Sequence, residues 1–593
     1  MEELRIKRDE KKAEPAGLRV HEYRTLFLTG CLLGLICFVF VYGVRVLDFT
    51  YDAWLLNGDM DLRQHYIGWC HFRMDAWQFP VGLIYSLSYP TSMSVIYTDS
   101  IPLFAVLFKP FTSILPETFQ YFGLFGILSF ALQGGISALL IRRFTDKKWL
   151  CIVSALFFIL SFPVLSRMYY HTALGAQWLL LLALLLWFYQ DSLGGLLRRC
   201  VIWAGMGFLC VSIHSYFLPM VGLILLASMA ERWVIGNKTG SRRLVLLKES
   251  FFLLFFYCLT ALVMLFVLGA FYGSTSAAGE GLGSFGSNLN TFFNSLGEGR
   301  IFPAMPLYYD FQYEGAGYLG AGILLLLCAL GILFIKNVII IPYVQHSTKW
   351  GGSAHNFEGK ADQLKIQKFF IEHYRITIIL LLFAAFCVLS VFPIVAWNDT
   401  KLFGVPYPAV VRKVLSIFRS NGRFIWTAVY LVMLSAVIFT DRYFSPRLSK
   451  VLIAAALFLQ LFDLSGIMEE KRDYFNTQQT YETMWDAEEL KEVLQGHKEF
   501  VFLYDENDIL METAYYAYLH EMQLNNYYYA RDIADAVEKN ISRWKKELKA
   551  GVVKEWTIYI FKEEGFDAAD YRGMDFYYVN GHVIGTKKGQ LPF

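Results

Sequence analysis

Charge is what this chain has least of. Only 18% of its 593 residues are Asp, Glu, Lys or Arg, against about 25% in a soluble globular protein. The 53 basic and 51 acidic residues nearly cancel, leaving a net charge of +2. That balance excludes a basic nucleic-acid binder and provides no whole-molecule field to steer an anionic partner. The nine cysteines form no CxxC pair and no Cys/His metal spacing. Cys31, Cys37, Cys151, Cys200, Cys210, Cys258, Cys328 and Cys387 lie in or beside apolar runs, where cysteine behaves as a small hydrophobe, and only Cys70 falls in a polar stretch. A disulfide scaffold is excluded, and zinc is not expected. No collagen-like or low-complexity tract is present, and no internal repeat of the kind transporters carry is visible.

What is present is apolar: 56% hydrophobic residues, 17% aromatic residues and a mean hydropathy of +0.40. Runs long enough to cross about 30 Å of hydrocarbon recur near 24–46, 118–141, 149–166, 172–190, 200–214, 216–232, 248–272, 317–336, 376–396, 423–440 and 451–467. The first is too long for a cleaved signal and no small-residue cleavage site follows it. The apolar stretch 101–115 is interrupted by Lys109 and Pro110 and is expected to be interfacial or re-entrant. Positive residues stay on the cytoplasmic side. They fill a basic tail over 1–23 (Arg5, Lys7, Arg8, Lys11, Lys12, Arg19) and every second loop after it: Arg142-Arg143 with Lys147-Lys148, Arg198-Arg199, Arg232 through Lys248, Lys336 through Arg375, and Arg442 through Lys450. The outer loops are then 47–117, 167–171, 273–316 and 397–422.

The expected fold is an α-helical polytopic membrane protein of about eleven transmembrane helices over 24–468, with its N-terminus cytoplasmic. An odd number of spans puts the charged remainder, 470–593, outside. That remainder alternates strand-like runs (Phe500–Tyr504, Trp556–Ile560) with helix-like ones (484–496, 531–549), the pattern of a small α/β domain. Its oddest segment, Asn525-Asn526-Tyr527-Tyr528-Tyr529, reads either as a half-buried strand or interface or as a surface for stacking sugars.

Ionisable groups are costly in a bilayer, and here the conspicuous ones gather in the outer loops. The first loop combines acids and aromatics: Tyr51-Asp52-Ala53-Trp54, then Gly58-Asp59-Met60-Asp61-Leu62-Arg63-Gln64-His65, then Tyr97-Thr98-Asp99-Ser100. Such acids can act as a general base if neighbours orient them, and Gln64 and His65 stand close enough in sequence to orient Asp61. Helix capping, or pairing with Arg63 and Arg73, is the plainer reading. Asp59-Met60-Asp61 also matches the DxD metal motif, but no nucleotide-binding strand–loop–helix surrounds it. No cofactor is expected, although a divalent ion at this pair remains open. Further along stand Arg167 and His171, then His214-Ser215-Tyr216, Glu314, and Arg419 with Arg423. The last two are four residues apart and would share a face at a helix N-terminus, an arrangement suited to phosphate; anchoring to lipid headgroups is the alternative. The Gly/Ser-rich 281–290, with the flanks of Gly279, suits a mobile lid or a plain connector.

The run Asp61-Leu-Arg-Gln-His-Tyr-Ile-Gly-Trp, with Phe72-Arg73 and Trp77-Gln-Phe-Pro-Val-Gly, resembles a bacterial multi-pass membrane family long described as of unknown function. So do Tyr97-Thr-Asp-Ser-Ile-Pro, Arg167 with His171-Thr-Ala-Leu, Tyr313-Glu-Gly-Ala-Gly-Tyr-Leu-Gly and Phe418-Arg-Ser-Asn-Gly-Arg-Phe-Ile-Trp. The resemblance covers most of the membrane region and, more weakly, the tail. That family is similar to the GT-C glycosyltransferase superfamily, whose members carry an essential acid in the first outer loop and take sugars from polyprenyl-phosphate carriers. The resemblance implies a multi-pass enzyme of the bacterial plasma membrane that transfers a sugar with inversion to an acceptor outside the cytoplasm, such as a wall polymer, teichoic acid or lipid glycan. A separate glycosyltransferase would load the carrier, for which undecaprenyl phosphate is the expected lipid. Asp61 aligns with the catalytic acid. Asp59 stays in reserve, because the family often has Gly-Asp-Pro and here Gly58-Asp59 lies just upstream. Arg419, Arg423, Arg167 and His171 would bind the donor phosphate, and Gln64, His65, Asp99, His214, Tyr216 and Glu314 would orient groups or contact sugar. The alternative is a transporter or flippase of a lipid-linked glycan or polymer.

Overall fold

The computed structural model describes residues 16–272, 281–340, 374–504, 506–529 and 534–590. The basic residues before Ala16, Gly279, most of the loop from Lys336 to Arg375 and the start of the 531–549 run lie outside the described residues.

Eight helices are long and apolar enough to cross a membrane: Val20–Tyr42, Phe122–Arg142, Lys148–Arg167, Leu196–Ile213, Phe217–Lys238, Arg243–Val267, Tyr374–Val391 and Asn421–Tyr443. Pro446–Asp463 and Ser465–Asn476 add a ninth if the pair, bent by 48°, is one span. Against the expected count of about eleven, eight or nine helices among the described residues are long and apolar enough to cross, and Thr172–Phe188 and Ala321–Asn337 are shorter apolar helices. The run 172–190 becomes a 3-10 turn, Thr172–Gly175, and an 11-residue helix, Trp178–Phe188, only about 16 Å long. Its apolar side chains pack inside the bundle, with Trp178, Leu179, Leu180, Leu181, Trp187 and Phe188 buried. The run 317–336 starts late. Residues 317–320 are not helical, with the Tyr318 hydroxyl donating to Asp463 (2.6 Å), and helix begins only at Ala321. The stretch 101–115 forms a short helix, Pro102–Phe108, and a 3-10 turn, Lys109–Phe111.

The bundle starts from a glycine contact. Gly34 and Gly30 on the first helix meet Phe130 and Gly134 on the second. A Cβ on Gly34 would stand 2.0 Å from the Phe130 carbonyl oxygen, and one on Gly134 would stand 2.1 Å from that of Gly30. With no solvent to drive them together, membrane helices associate through such close backbone approach.

The strands are few. β1 (Leu83–Ile84) and β2 (Met93–Ser94) form one hairpin, and β3 (Ile394–Trp397) and β4 (Thr400–Gly404) form another. Residues 281–290, read as a lid or connector, are pinned beside the second hairpin. Ser287 N–H donates to Ser390 O (2.7 Å), Leu289 N–H to Ala396 O (3.0 Å) and Asn288 Nδ2 to Asn398 O (2.8 Å).

The C-terminal domain is a five-stranded mixed sheet of β5 (Glu499–Phe502), β6 (Gln523–Leu524), β7 (Thr557–Lys562), β8 (Met574–Val579) and β9 (His582–Lys587), in the order β6-β5-β7-β9-β8. β5 pairs parallel with β6 and β7, while β9 runs antiparallel to β7 and β8. Val501, Leu503, Trp544, Leu548 and Tyr559 close one face into a small core. The domain sits on the 47–117 loop. Leu524 N–H donates to Ser86 O (2.7 Å) and Tyr89 N–H to Leu524 O (2.8 Å), while Tyr518 Oη reaches Glu117 O (2.6 Å). Asp52, a candidate acid, is occupied in this seam: it accepts from Tyr66 Oη (2.9 Å) and Tyr515 Oη (2.7 Å). Asn525-Asn526-Tyr527-Tyr528-Tyr529 follows β6 as a loop, not a strand, with Asn525 clasping the Phe502 backbone from both sides.

Candidate functional site

The loop helix Met60–Met74 points its N-terminus at the site. Asp59 caps that end, its Oδ1 accepting from Leu62 N–H at 2.9 Å. Asp61 stands in the first turn with 26% of its side chain exposed, and its Oδ2 lies 3.2 Å from His171 Nδ1. This contact is a close approach without the alignment of a hydrogen bond. The other ring nitrogen, Nε2, meets Glu314 Oε1 at 3.3 Å. One imidazole thus bridges two carboxylates from distant loops.

Glu314 is the hub. It is 3% exposed. Arg423 Nε donates to its Oε2 (2.8 Å) and Nη2 to its Oε1 (3.2 Å), and Arg167 Nη2 lies 3.5 Å from Oε2. Arg167 also donates to the carbonyls of Tyr313 (3.1 Å) and Glu314 (3.2 Å). Burial would raise the Glu314 carboxyl, but Arg167, Arg423 and His171 together hold it well below the ordinary 4.5. Behind the pair, Tyr216 lies under Arg423 (4.6 Å to the ring centre) and its Oη accepts from Ser420 N–H at 2.9 Å. His214 Nε2 is 3.5 Å from Asp99 Oδ1, and its Nδ1 accepts from Tyr216 N–H. Burial, then the Arg423 charge, hold His214 well below the usual imidazole range. Four non-glycine residues of these loops, Asp99, Ile101, Tyr169 and Ala316, have φ between +36° and +61°, a strain of about 1–3 kcal/mol each that surrounding packing must hold.

Most of the predicted residues converge, but several in other roles than expected. Glu314, expected to orient groups or contact sugar, is the buried counter-ion of two guanidiniums, which require a carboxylate when buried together. Arg423 and Arg167, expected at the donor phosphate, both pair with it. Arg419 and Arg423 do not share a helix face. Arg423 lies in the 3-10 turn Asn421–Phe424 that leads into helix Ile425–Tyr443, while Arg419 precedes it; Arg423 turns inward, and Arg419 stays exposed over Phe285 (5.5 Å) and makes no ion pair among the described residues. Gln64 does not orient Asp61; its Nε2 donates to Tyr528 O at 2.9 Å. His65 is fully buried beside His171, ring centres 6.5 Å apart, with neither ring nitrogen hydrogen-bonded. Burial, then His171, keep it well below the usual imidazole range. Asp59 and Asp61 are committed to different partners, which does not fit the paired ligands of a DxD metal site, and no cluster of three His, Cys, Asp or Glu side chains suited to a metal occurs among the described residues.

Two further residues contribute: Lys471, which the sequence did not mark, and Tyr528, from the segment singled out for its tyrosines. Lys471, whose Nζ donates to Met168 O (3.3 Å), acts electrostatically on Asp59. Burial outweighs this and the Leu62 bond, raising Asp59 to about 6. Tyr528 hangs from Gln64 one helical turn beyond Asp61, half-buried, and feels the charges of Asp61, Arg419 and Asp99. The Tyr-rich composition was its only sequence signal.

The family described as "Domain of unknown function (DUF6311)" matches residues 31–465, and its C-terminal domain matches 489–587. The chain belongs to the DUF6311 family. This is the kind of multi-pass family of unknown function that its motifs resemble. The DUF6311 chain is similar to the Archaeoglobus fulgidus oligosaccharyltransferase in its apo form, with a TM-score of 0.41 and 12% identity over 93% of this chain and 70% of that one. It is likewise similar to that enzyme tethered by a disulfide to an acceptor peptide containing the NVT sequon, with a TM-score of 0.39 and 13% identity over the same shares. No curated protein matches the chain.

Proposed function

We propose that this DUF6311 protein is a membrane glycosyltransferase that moves a sugar from a polyprenyl-phosphate donor to a hydroxyl on a glycan, polymer or lipid acceptor outside the cytoplasm. The observation that carries the reading is the juxtaposition of Asp61, partly open and beside His171, with two guanidiniums, Arg167 and Arg423, set against the Glu314 carboxylate. The isoprenoid tail would lie among lipid-facing helices, leaving the phosphate at the loop end of the bundle. Asp61 accepts the acceptor's hydroxyl proton as that oxygen attacks the anomeric carbon. The bond from the anomeric carbon to the phosphate oxygen breaks on the opposite face, configuration inverts, and polyprenyl phosphate leaves with the bonding pair. Arg419 meets the charge growing on the phosphate, and the Arg167–Glu314–Arg423 cluster adds a fixed positive potential behind it. Removing one such stabilising group costs about 100–1,000-fold in rate. The C-terminal domain, seated on the 47–117 loop, frames the acceptor side through Tyr528. A bacterial plasma membrane, with the basic loops cytoplasmic, is the expected setting.

The test uses purified full-length protein in detergent, given radiolabelled polyprenyl-phosphate hexoses and an envelope-glycan extract. The expected result is sugar transfer with release of polyprenyl phosphate and no need of a membrane gradient. No release from any donor, with lipid movement seen only in sealed vesicles, would replace the enzyme by a transporter.

A further inference from the structure

A cleft of about 530 Å³ opens at the other end of the loop helix, between the segment after Met74 and the turn into β6. Asp61 and Met74 are 13 residues apart on this helix, about 20 Å along its axis, so the cleft is separate from the cluster around Glu314. Its lining alternates aromatic rings with planar polar groups: Trp77 and Tyr85, Gln78 and Gln523, Asp75 and Glu521. Trp77 is 50% exposed. Its ring is fixed from behind by Lys109, whose Nζ lies 4.7 Å from the ring centre and 4.0 Å from that of Phe72, while Phe72 meets Trp77 edge-on at 6.3 Å. Lys109 is buried, and its charge acts on the two rings and on Asp75. Asp75 locks the opposite wall, its Oδ2 accepting from Tyr85 N–H (2.5 Å) and Ser86 N–H (3.1 Å). Tyr85 is braced edge-on by Tyr89 at 5.4 Å.

We infer that this cleft binds the neutral part of a glycan chain, holding the acceptor at a distance from the reacting centre. A sugar ring offers an apolar C–H face and a rim of hydroxyls. An exposed, immobilised indole suits the face, while carboxylates and amides supply the acceptors and donors the rim needs. Two carboxylates and no cation in the lining disfavour a phosphate- or uronate-bearing polymer. The role as an acceptor site rests on the proposed transferase; glycan binding itself does not.

The experiment probes an array of neutral, amino and anionic oligosaccharides with the full-length protein in detergent, then measures Kd by calorimetry on the best neutral chain. Neutral chains should bind, and Trp77→Ala and Gln523→Ala should each weaken binding at least tenfold with unchanged thermal unfolding. Asp61→Asn should leave the Kd unchanged. Glycan binding with no transferase activity in the wild type would leave the cleft assigned and remove the proposed reaction. The inference is overturned if no neutral chain binds, if anionic chains bind in preference, or if Trp77→Ala leaves glycan affinity intact. It is equally overturned if Trp77→Ala weakens only attachment to phosphatidylglycerol vesicles, which would make Trp77 with exposed Phe79 a membrane-interface anchor.

Discussion

Glu314→Gln is the perturbation whose size follows most directly from the coordinates. The substitution keeps the volume and one acceptor but removes the charge from a carboxylate that is 3% exposed and shared by Arg423, Arg167 and His171. Two guanidiniums are then buried side by side with no counter-ion. Removing one partner of a buried ion pair typically costs about 3–5 kcal/mol, and the second guanidinium places Glu314→Gln at the upper end. Thermal unfolding in detergent, followed by tryptophan fluorescence and by binding of a conformation-sensitive dye, should show a large loss. Arg423→Gln in the Glu314→Gln background should cost much less than Arg423→Gln alone, because the charge it removes is by then unpaired. The pH dependence has a defined sign. The folded carboxyl titrates well below its ordinary 4.5, so its contribution is complete above about 4.5 and is lost only as pH falls below that value through the lowered folded one. Glu314→Gln should lose this acid-side decline. A Glu314→Gln variant within about 1 kcal/mol of wild type, or additive double-mutant costs, would refute the hub.

Two further predictions concern the scaffold. Asp59 titrates near 6, above its ordinary 3.8, so its ionisation opposes folding and stability should fall as pH rises from about 4 to 6. Asp59→Asn should remove that decline and keep the cap, whereas Asp59→Ala should cost about 1 kcal/mol; pH-resolved unfolding of both variants checks this. At the first helix contact, Gly34→Ala forces a Cβ to within 2.0 Å of the Phe130 carbonyl and should cost about 1–3 kcal/mol or prevent assembly. Gly205→Ala, where a Cβ meets nothing within 4 Å, should be silent in the same melting assay.

The spans were legible because crossing a bilayer demands an uninterrupted apolar run, and eight such runs are helices of sufficient length. The run 172–190 is broken into a 3-10 turn and the short helix Trp178–Phe188, a break that hydropathy does not report. The site was legible in part for the complementary reason: Asp61, His171, Glu314 and Arg423 stand out as charges in a chain that has few. Their pairing was not legible. Four-residue spacing implied a shared face for Arg419 and Arg423, but Arg423 lies in a 3-10 turn that Arg419 precedes, and only tertiary contact with Glu314 decides that Arg423 turns inward. Gln64 stands three residues from Asp61, yet it is claimed by Tyr528 from a segment more than 460 residues away. Lys471 carried no signal, since one lysine near the end of an apolar run looks like any other.

The central claim is that Asp61 removes the acceptor's proton at the loop end of the bundle. Its most direct measurement compares wild type, Asp61→Asn and Asp59→Asn for transfer of label from a polyprenyl-phosphate sugar to acceptor, with unfolding midpoints recorded alongside. The account predicts that Asp61→Asn loses transfer by about 100-fold or more at an unchanged midpoint while Asp59→Asn retains most of it. Full transfer by Asp61→Asn, or equal loss in both variants, would contradict it.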